Sequence, residues 1–468
     1  MATKAFNTVT AEIKQQLKEI CGDKFVLTGE DNLSLYGKDE TEDLFFMPSA
    51  VVKPRTPEEV SKIFQLCTAH RIPVTPRGAG TGLSGGALPV CGGIVLSTER
   101  MNAILQIDEK NFQATVECGV ITEVLQEEVK KRGLFYPPDP SSKGSCFIGG
   151  NLAESSGGPR AVKYGVTKDY VLNVQAVLPT GEILWTGANV LKNATGYNLT
   201  QLLVGSEGTL ALITKAVLKL LPLPKHNAVM LVSFHSMVEA CEAVNNILLS
   251  GVMPSALEFM ERDAIVYTLN FLNMEMNLSP DVEAQLLVEV EGNSFEELTK
   301  QTERIYECIQ AYDIEEPLFA ESEQHKEKLW RIRRNIAHAA KATSVYKEED
   351  TVVPRAALPQ LIKGVKSLSA EYGFQTVCFG HAGDGNLHIF ILKKNLTEHE
   401  WQHKIPEAIE KLFTLTVQLG GTISGEHGIG LVQKPYLHIA LQEKQIELMR
   451  AIKKIFDPAG ILNPGKIF

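Results

Sequence analysis

The chain has only eleven histidines, and three of them stand in glycine-rich contexts near its C-terminal end. Gly380-His381-Ala382-Gly383-Asp384-Gly385-Asn386-Leu387-His388 lies between the apolar runs QTVCF and IFIL, a strand–turn–strand pattern. A turn centred on Asp384–Gly385 would set His381 opposite His388, with cross-strand Cβ atoms about 4.5–5.5 Å apart. Two imidazoles at that separation can ligate one metal ion. Gly425-Glu426-His427-Gly428 adds a carboxylate from another loop. Two histidines and one carboxylate leave coordination positions open for a substrate, a set that suits one divalent Zn, Fe or Mn. Hairpin histidines hydrogen-bonded to backbone satisfy the same spacing. A metal-dependent hydrolase on His381, His388 and Glu426 is a second chemical reading.

The glycines suggest a different chemistry. Gly80-Thr81-Gly82-Leu83-Ser84-Gly85 matches GxGxxG. A dinucleotide-binding Rossmann fingerprint needs a strand before it and a helix after it. Pro89 and Gly92-Gly93 follow, so no helix is expected where the fingerprint requires one, and the preceding element reads as a helix. The nicotinamide reading is therefore set aside. Successive glycine amides still suit a diphosphate, because they can form an anion-binding concavity without a helix end. Arg77 and Ser84 could add donors. Two further glycine-rich stretches, FIGGNLAESSGG and VGSEGTL, lie within residues 147–210, between short strands. Together the three read as backbone wrapped around one elongated ligand.

These groups need elements to hold them. Thr56-Pro57-Glu58-Glu59 opens a helix with a capping box, and Ser294-Phe295-Glu296-Glu297 opens another running towards Tyr312. Between 70 and 220, GGIVLST, FQATVECGV, VLNVQAVLPTGEIL and GTLALITKAVLKLL read as strands joined by tight connections. From about 225 to 420 the pattern is mixed α+β, with strands AVMLVSF and QTVCFG and helices around 236–250, 294–312 and 402–419. A domain boundary is expected near Pro222–Pro224. This divides the chain into 1–222, 223–420 and a C-terminal segment 421–468 with a helix near 442–456.

A chain of 468 residues with 44% hydrophobic and 22% charged residues has room for about two to four domains. Its net charge of -10 argues against a nucleic-acid binder, which would show a basic face. No stretch of about 18 uncharged apolar residues is present, so no transmembrane anchor is expected. The opening residues lack an apolar core, so no secretory signal is expected either. Eight cysteines without a CxxC exclude zinc-ribbon, ferredoxin and c-type haem spacings. They read as reduced, mostly buried thiols in a cytoplasmic protein.

In order along the chain, RGAGTGLSGGALP, PPDPSSKGSCFIGGNLAESSGGPRAVKYG and NATGYNLTQLLVGSEGTLALIT resemble the FAD domain of the vanillyl-alcohol oxidase/p-cresol methylhydroxylase superfamily. Within it, GHAGDGNLH, GGTISGEHGIG and DPAGILNPGKIF resemble the FAD-linked D-2-hydroxyacid dehydrogenases. That group includes D-lactate dehydrogenases, D-2-hydroxyglutarate dehydrogenases and flavin subunits of glycolate oxidase. The similarity runs from about residue 20 to Phe468. It implies an α+β fold: a two-subdomain FAD-binding domain, an α+β cap domain over the flavin, and a C-terminal segment returning to the FAD domain to complete the active site.

The resemblance also implies roles for particular residues. Arg77, Gly78, Gly80, Thr81, Gly82, Leu83, Ser84 and Gly85 would hold the pyrophosphate. Pro138, Gly144, Ser145, Gly149, Gly150, Asn151, Ser156 and Gly157 would line the flavin. Glu207, Gly208 and Ile213 would hold the adenine end, and Asn463 would reach the flavin from the tail. Thr81 stands where covalent members of the superfamily carry a histidine, so FAD should be non-covalent. His381, His388 and Glu426 become the family's metal set, and His427 the base beside it. Among the basic candidates of Trp330-Arg331-Ile332-Arg333-Arg334 and Tyr346-Lys347, the family favours Arg333 and Lys347 for the substrate carboxylate, with Arg334 in reserve.

The activity implied is oxidation of D-lactate to pyruvate. The metal acidifies the hydroxyl, His427 takes its proton, and hydride passes to flavin N5. Glycolate and D-2-hydroxyglutarate are the alternative substrates. Ala337, one turn beyond Arg333, offers no polar group for a second carboxylate and leans towards a small monocarboxylate. Electrons would leave to a separate soluble acceptor such as an electron-transfer flavoprotein, with an iron–sulfur partner subunit second. A non-catalytic flavin subunit of an oxidase complex is the reading from another class.

Overall fold

Both expected helix starts form, each with a shifted partner. Thr56 caps the helix Pro57–His70, its hydroxyl accepting from Glu59 N at 3.2 Å. The Glu59 carboxylate reaches one residue further back than a capping box requires, accepting from Arg55 N at 2.7 Å. Ser294 caps Phe295–Ile309 in the same way, with the Glu297 carboxylate accepting from Asn293 N at 2.9 Å. That helix stops at Ile309, short of Tyr312. The helix expected from 402 begins earlier, as Glu398–Gln418, because Thr397 and Glu400 form a complete capping box.

The computed structural model describes residues 6–468, and the chain separates into two compact units. The first comprises the segment up to Ser156, Val166–Leu223 and Glu426–Phe468. One sheet in it has Ala50–Val52, Ile94–Ser97 and Val74–Arg77 running parallel, with Val26–Leu27 antiparallel at one edge. The helices Ala11–Cys21 and Pro57–His70 bury Ile13, Leu17, Val60, Ile63 and Phe64 against Val52, Val74, Ile94 and Leu96 of this sheet. Each such side chain is worth about 1.5–3 kcal/mol when fully buried. A second, antiparallel sheet runs in the order Ile104–Asp108, Gln113–Glu117, Leu212–Lys219, Val171–Val177, Ile183–Trp185.

Two sequence expectations are corrected in this unit. A strand, Val74–Arg77, and not a helix, immediately precedes the first glycine loop. Pro76 hides it, because proline cannot donate to a ladder and is tolerated only at an edge. This strand is the last of its sheet, and the C-terminal tail lies along it, with Val74 N donating to Ile461 O at 2.8 Å. No helix separates the loop from Ile94–Ser97. The connections are also less tight than expected. The helix Thr122–Lys130 follows Gln113–Glu117, and Gly149 and Gly150 lie inside a helix, Ile148–Glu154.

The second unit comprises Gly157–Gly165 and Pro224–Gly425. Its antiparallel sheet runs Leu318–Phe319, His226–Phe234, Ala284–Gly292, Ala256–Glu261, Gln375–Gly380, Asn386–Leu392, Tyr346–Val352. Alternation along the strands divides their side chains between two covered faces. Met260, Val377, Phe379 and Phe390 pack on one side with Ile265, Trp330 and Ile336. Cys378 points the other way, towards Cys241 of the helix Met237–Leu249. The short segment Gly157–Gly165 joins this unit through Arg160 and Lys163, 3.5 and 3.1 Å from the Glu291 carboxylate, and through the Tyr164 hydroxyl on the same carboxylate. All eight cysteines are free and six are buried. No described helix is long and apolar enough to cross a membrane.

Candidate active site

In the first unit, residues 78–86 leave the strand Val74–Arg77 as an irregular loop. Gly80 has φ +76°, a backbone conformation that favours glycine, and a Cβ there would crowd the Arg77 guanidinium at 2.1 Å. Gly149 is needed for packing, since its Cβ would lie 2.8 Å from Cys118 Cβ. Gly82 and Gly150 differ. Neither has positive φ, and a Cβ on either meets no atom within 4 Å. The protein's own packing gives no reason for glycine at these two positions, whereas a ligand lying against the backbone does. Gly78 brings the two segments together, 3.7 Å from Gly150 N by its would-be Cβ. Arg77 stands beside them, buried, with Nη1 lacking any hydrogen-bond partner. Burial lowers its pKa, opposed by Asp39. Open glycine backbone beside a buried, incompletely bonded guanidinium fits the pyrophosphate of FAD.

The other expected cofactor residues of this unit are placed as follows. Thr81 and Leu83 are half-buried, while Ser84 is buried and its carbonyl accepts from Leu431 N at 2.8 Å. Gly85 N donates to Thr41 Oγ1 at 2.7 Å. Pro138 is buried, and its carbonyl accepts from Gln126 at 2.8 Å. Gly144 and Ser145 lie on an exposed turn. Asn151 donates to Thr122 Oγ1 at 2.5 Å, and Ser156 N donates to Asn151 O at 3.0 Å. Ile213 is buried in the strand Leu212–Lys219, and Gly208 (φ +63°) packs towards Pro76. Asn463 Nδ2 donates to Gly86 O at 3.1 Å and Glu207 O at 2.9 Å, tying loop, third glycine segment and tail together. Gly157 belongs to the second unit.

In the second unit, His388 pairs in register with Phe379, not with His381. The expected symmetric hairpin is therefore wrong by two residues. The single turn Ala382–Asp384 and Gly385 at φ +84° occupy the bend, and His381 falls just beyond the last ladder pair. The rings still meet, with centroids 5.5 Å apart at 86°. His388 also packs on Phe379 at 5.2 Å.

A residue that sequence reading missed organises this pair. Glu258, fully buried in the strand Ala256–Glu261, places Oε2 2.9 Å from His381 Nδ1 and 2.5 Å from Arg333 Nη2. A carboxylate at Nδ1 fixes the proton there and leaves Nε2 as the donor atom, the usual arrangement behind a metal-binding histidine. Arg333 Nη2 lies 3.4 Å from the same Nδ1. Both nitrogens are then donors, so the two groups share Glu258 and do not bond each other. Burial works to raise the Glu258 pKa, but His381 and Arg333 outweigh it and hold the carboxyl below its ordinary value. The available signal was a charged residue in the apolar run ALEFM.

Asp350 provides a second anchor. It faces His388 in register, with Oδ1 3.8 Å from Nδ1. Its carboxylate accepts from Asn386 Nδ2 at 2.6 Å and from Gly425 N at 2.8 Å. The backbone is thus fixed immediately before Glu426. Glu426 and His427, both half-buried, open the returning segment of the first unit.

The basic candidates separate. Arg333 is 3% exposed, on the helix Glu323–Arg334, with its guanidinium 4.9 Å from the Phe379 ring and its Nε lacking a hydrogen-bond partner. Arg334 is exposed and lies over Trp330 at 5.0 Å. Lys347 is not brought to this side. It pairs with Ile391, so the pleat turns it to the opposite face from His388, where it lies 5.8 Å from the Trp401 ring. Ala337 is not one helical turn beyond Arg333, because the helix ends at Arg334 and a new one, Ile336–Thr343, begins after Asn335. It packs against the apolar cluster beneath the sheet.

Two family models match the chain: an FAD binding domain over residues 48–187 and the C-terminal domain of FAD linked oxidases over residues 223–467. Glycolate oxidase subunit GlcD of Bacillus subtilis is 38% identical, covering 98% of this chain and 97% of that protein. D-lactate dehydrogenase of Anaerostipes hadrus is 38% identical over 100% and 99%. D-2-hydroxyglutarate dehydrogenase of Stutzerimonas stutzeri is 33% identical over 97% and 98%. The crystal structure of p-cresol methylhydroxylase with substrate bound superposes with a TM-score of 0.81 at 18% identity, covering 99% of this chain and 98% of that one.

Proposed function

Because this chain belongs to the FAD-linked oxidases, in the D-lactate, glycolate and D-2-hydroxyglutarate dehydrogenase group of the vanillyl-alcohol oxidase/p-cresol methylhydroxylase superfamily, we propose that it oxidises D-lactate to pyruvate. The residues proposed to hold FAD lie in the first unit, Gly157 excepted, and His381, His388 and Arg333 lie in the second, while Glu426 and His427 begin the segment by which the chain returns to the first. The His381–His388 pair carries this reading, since Glu258 presents His381 Nε2 as a donor beside a second imidazole.

FAD, when bound, supplies the hydride acceptor. His381, His388 and Glu426 would hold a divalent metal, which would supply Lewis acidity for the substrate hydroxyl. His427 then accepts the hydroxyl proton, a task suited to an imidazole near neutral pH. Arg333 holds the carboxylate, with Glu258 fixing its guanidinium in place. Thr81 lacks the imidazole that a covalent flavin link would need. FAD is therefore non-covalent, and acid precipitation should release it into the supernatant. Electrons pass on to a separate soluble protein such as an electron-transfer flavoprotein. The eight free thiols support a cytoplasmic setting.

Anaerobic mixing with a panel of 2-hydroxy acids tests the proposal. D-lactate should bleach the flavin and L-lactate should not. Preferential bleaching by glycolate or D-2-hydroxyglutarate would change the substrate. Equal bleaching by both lactate enantiomers, or by no 2-hydroxy acid at all, would discard the proposal.

A further inference from the structure

The loop that follows Glu426 and His427 is gripped from below by one buried carboxylate. Glu207 is 7% exposed, and its two oxygens accept separately from Ile429 N at 2.9 Å and Gly430 N at 2.6 Å. Its own backbone is fixed at both ends: N donates to Ala153 O at 2.8 Å, and O accepts from Asn463 Nδ2 at 2.9 Å. Glycine lets the loop lie this close. A Cβ on Gly428 (φ +80°) would fall 2.4 Å from Glu154 Oε2 and 3.1 Å from Glu207 Cδ. One on Gly430 (φ +50°) would fall 2.2 Å from Ser84 O. Leu431 N then donates to the same Ser84 carbonyl at 2.8 Å.

We propose that Glu207 is a positioning residue for the loop carrying Glu426 and His427, and that it does not read the adenine end of the cofactor. Both of its oxygens are engaged by loop amides. The grip begins two residues after His427, so few backbone torsions separate the anchor from the base. Two successive N–H groups on one carboxylate form a strong, directional anchor. Burial raises the Glu207 pKa above its ordinary value, opposed by the two amides and Lys466. Burial, Glu207 and Asp39 all raise the pKa of the half-buried Glu154.

The assignment of His427 as base rests on the function proposed above, whereas the clamp itself does not. The test is Glu207→Gln in the FAD-loaded protein, followed by amide hydrogen exchange, FAD titration of the stripped protein, and steady-state kinetics. Gln keeps one acceptor and turns an N–H₂ towards the other amide. Exchange at Ile429 and Gly430 should accelerate about 10–100-fold, the equivalent of one hydrogen bond to a charged group. FAD affinity should stay within about twofold, and kcat should fall about tenfold with little change in KM. Weakened FAD binding with unchanged exchange would overturn the proposal and return Glu207 to the cofactor. Faster exchange with unchanged kcat on a working substrate would overturn the positioning role. A protein that oxidises no 2-hydroxy acid yet shows the exchange effect keeps the clamp and loses only the proposed function. Should Glu207→Gln fail to fold, Glu207→Asp keeps the buried charge and withdraws it by one methylene. The same measurements on it are read in the same way.

Discussion

Oε2 of Glu258 lies 2.9 Å from Nδ1 of His381, with both side chains buried in the second unit and Arg333 on the same carboxylate. One anion thereby orients a candidate metal ligand and neutralises a candidate substrate anchor. Its removal should be felt in stability and in metal binding alike.

Glu258→Ala should destabilise the protein by about 3–5 kcal/mol in urea unfolding, because it leaves the Arg333 cation buried without its partner. Glu258→Gln keeps an acceptor for Nδ1 and loses the charge. Its affinity for added Mn or Zn, titrated into chelator-treated protein, should drop about 10–100-fold. Native stability in Glu258→Ala would show that the ion pair is not buried as described.

Two adjacent glycines should respond differently. Gly149→Ala drives a methyl into Cys118 and should lower stability by about 1–3 kcal/mol. Gly150→Ala meets no protein atom and replaces a helical glycine, so the FAD-free protein should gain up to about 1 kcal/mol. Its FAD affinity should nevertheless fall if the cofactor lies against this backbone. Flavin titration and thermal melts on both variants check the contrast. Unchanged FAD affinity in Gly150→Ala would place the ligand elsewhere.

Chelation should remove the metal and the activity while leaving FAD bound, and His388→Ala should do the same permanently. His427→Ala should retain both metal and FAD and lose about 10²–10⁴-fold in kcat, the usual cost of a general base. Full turnover in demonstrably metal-free protein would reject the His381, His388 and Glu426 set. An unaffected kcat in His427→Ala would move the base to another group.

Burial pushes the Cys67 and Cys118 thiols up to about 12. Unfolded thiols titrate near 8.5, so above about pH 8.5 the unfolded chain loses protons that the folded one keeps. The resulting stabilisation is complete below that pH and is lost as pH rises towards 12. Between pH 8 and 10, wild type should lose about 2 kcal/mol more than Cys67→Ala in urea unfolding. Parallel losses in the two proteins would mean that Cys67 is accessible to solvent in the folded state.

The sequence by itself determined what depends on near neighbours. Thr56, Ser294 and the glycine at position 80 carry their meaning within a few residues, because caps and left-handed turns are made by local backbone. The family followed from the order of six motifs, which needs no geometry. Strand Val74–Arg77 escaped because Pro76 looks like a breaker until the strand is known to be an edge. The tertiary structure alone decided which side chains meet. Glu258 reaches His381 across 123 positions, and Glu207 reaches Gly430 across 223. A register shift of two residues moved His388 from His381 to Phe379, and the period-two pleat turned Lys347 to the face opposite His388. Such outcomes depend on the closure of long loops and the pairing of distant strands, and those energies are set by the whole core and by no local run of residues.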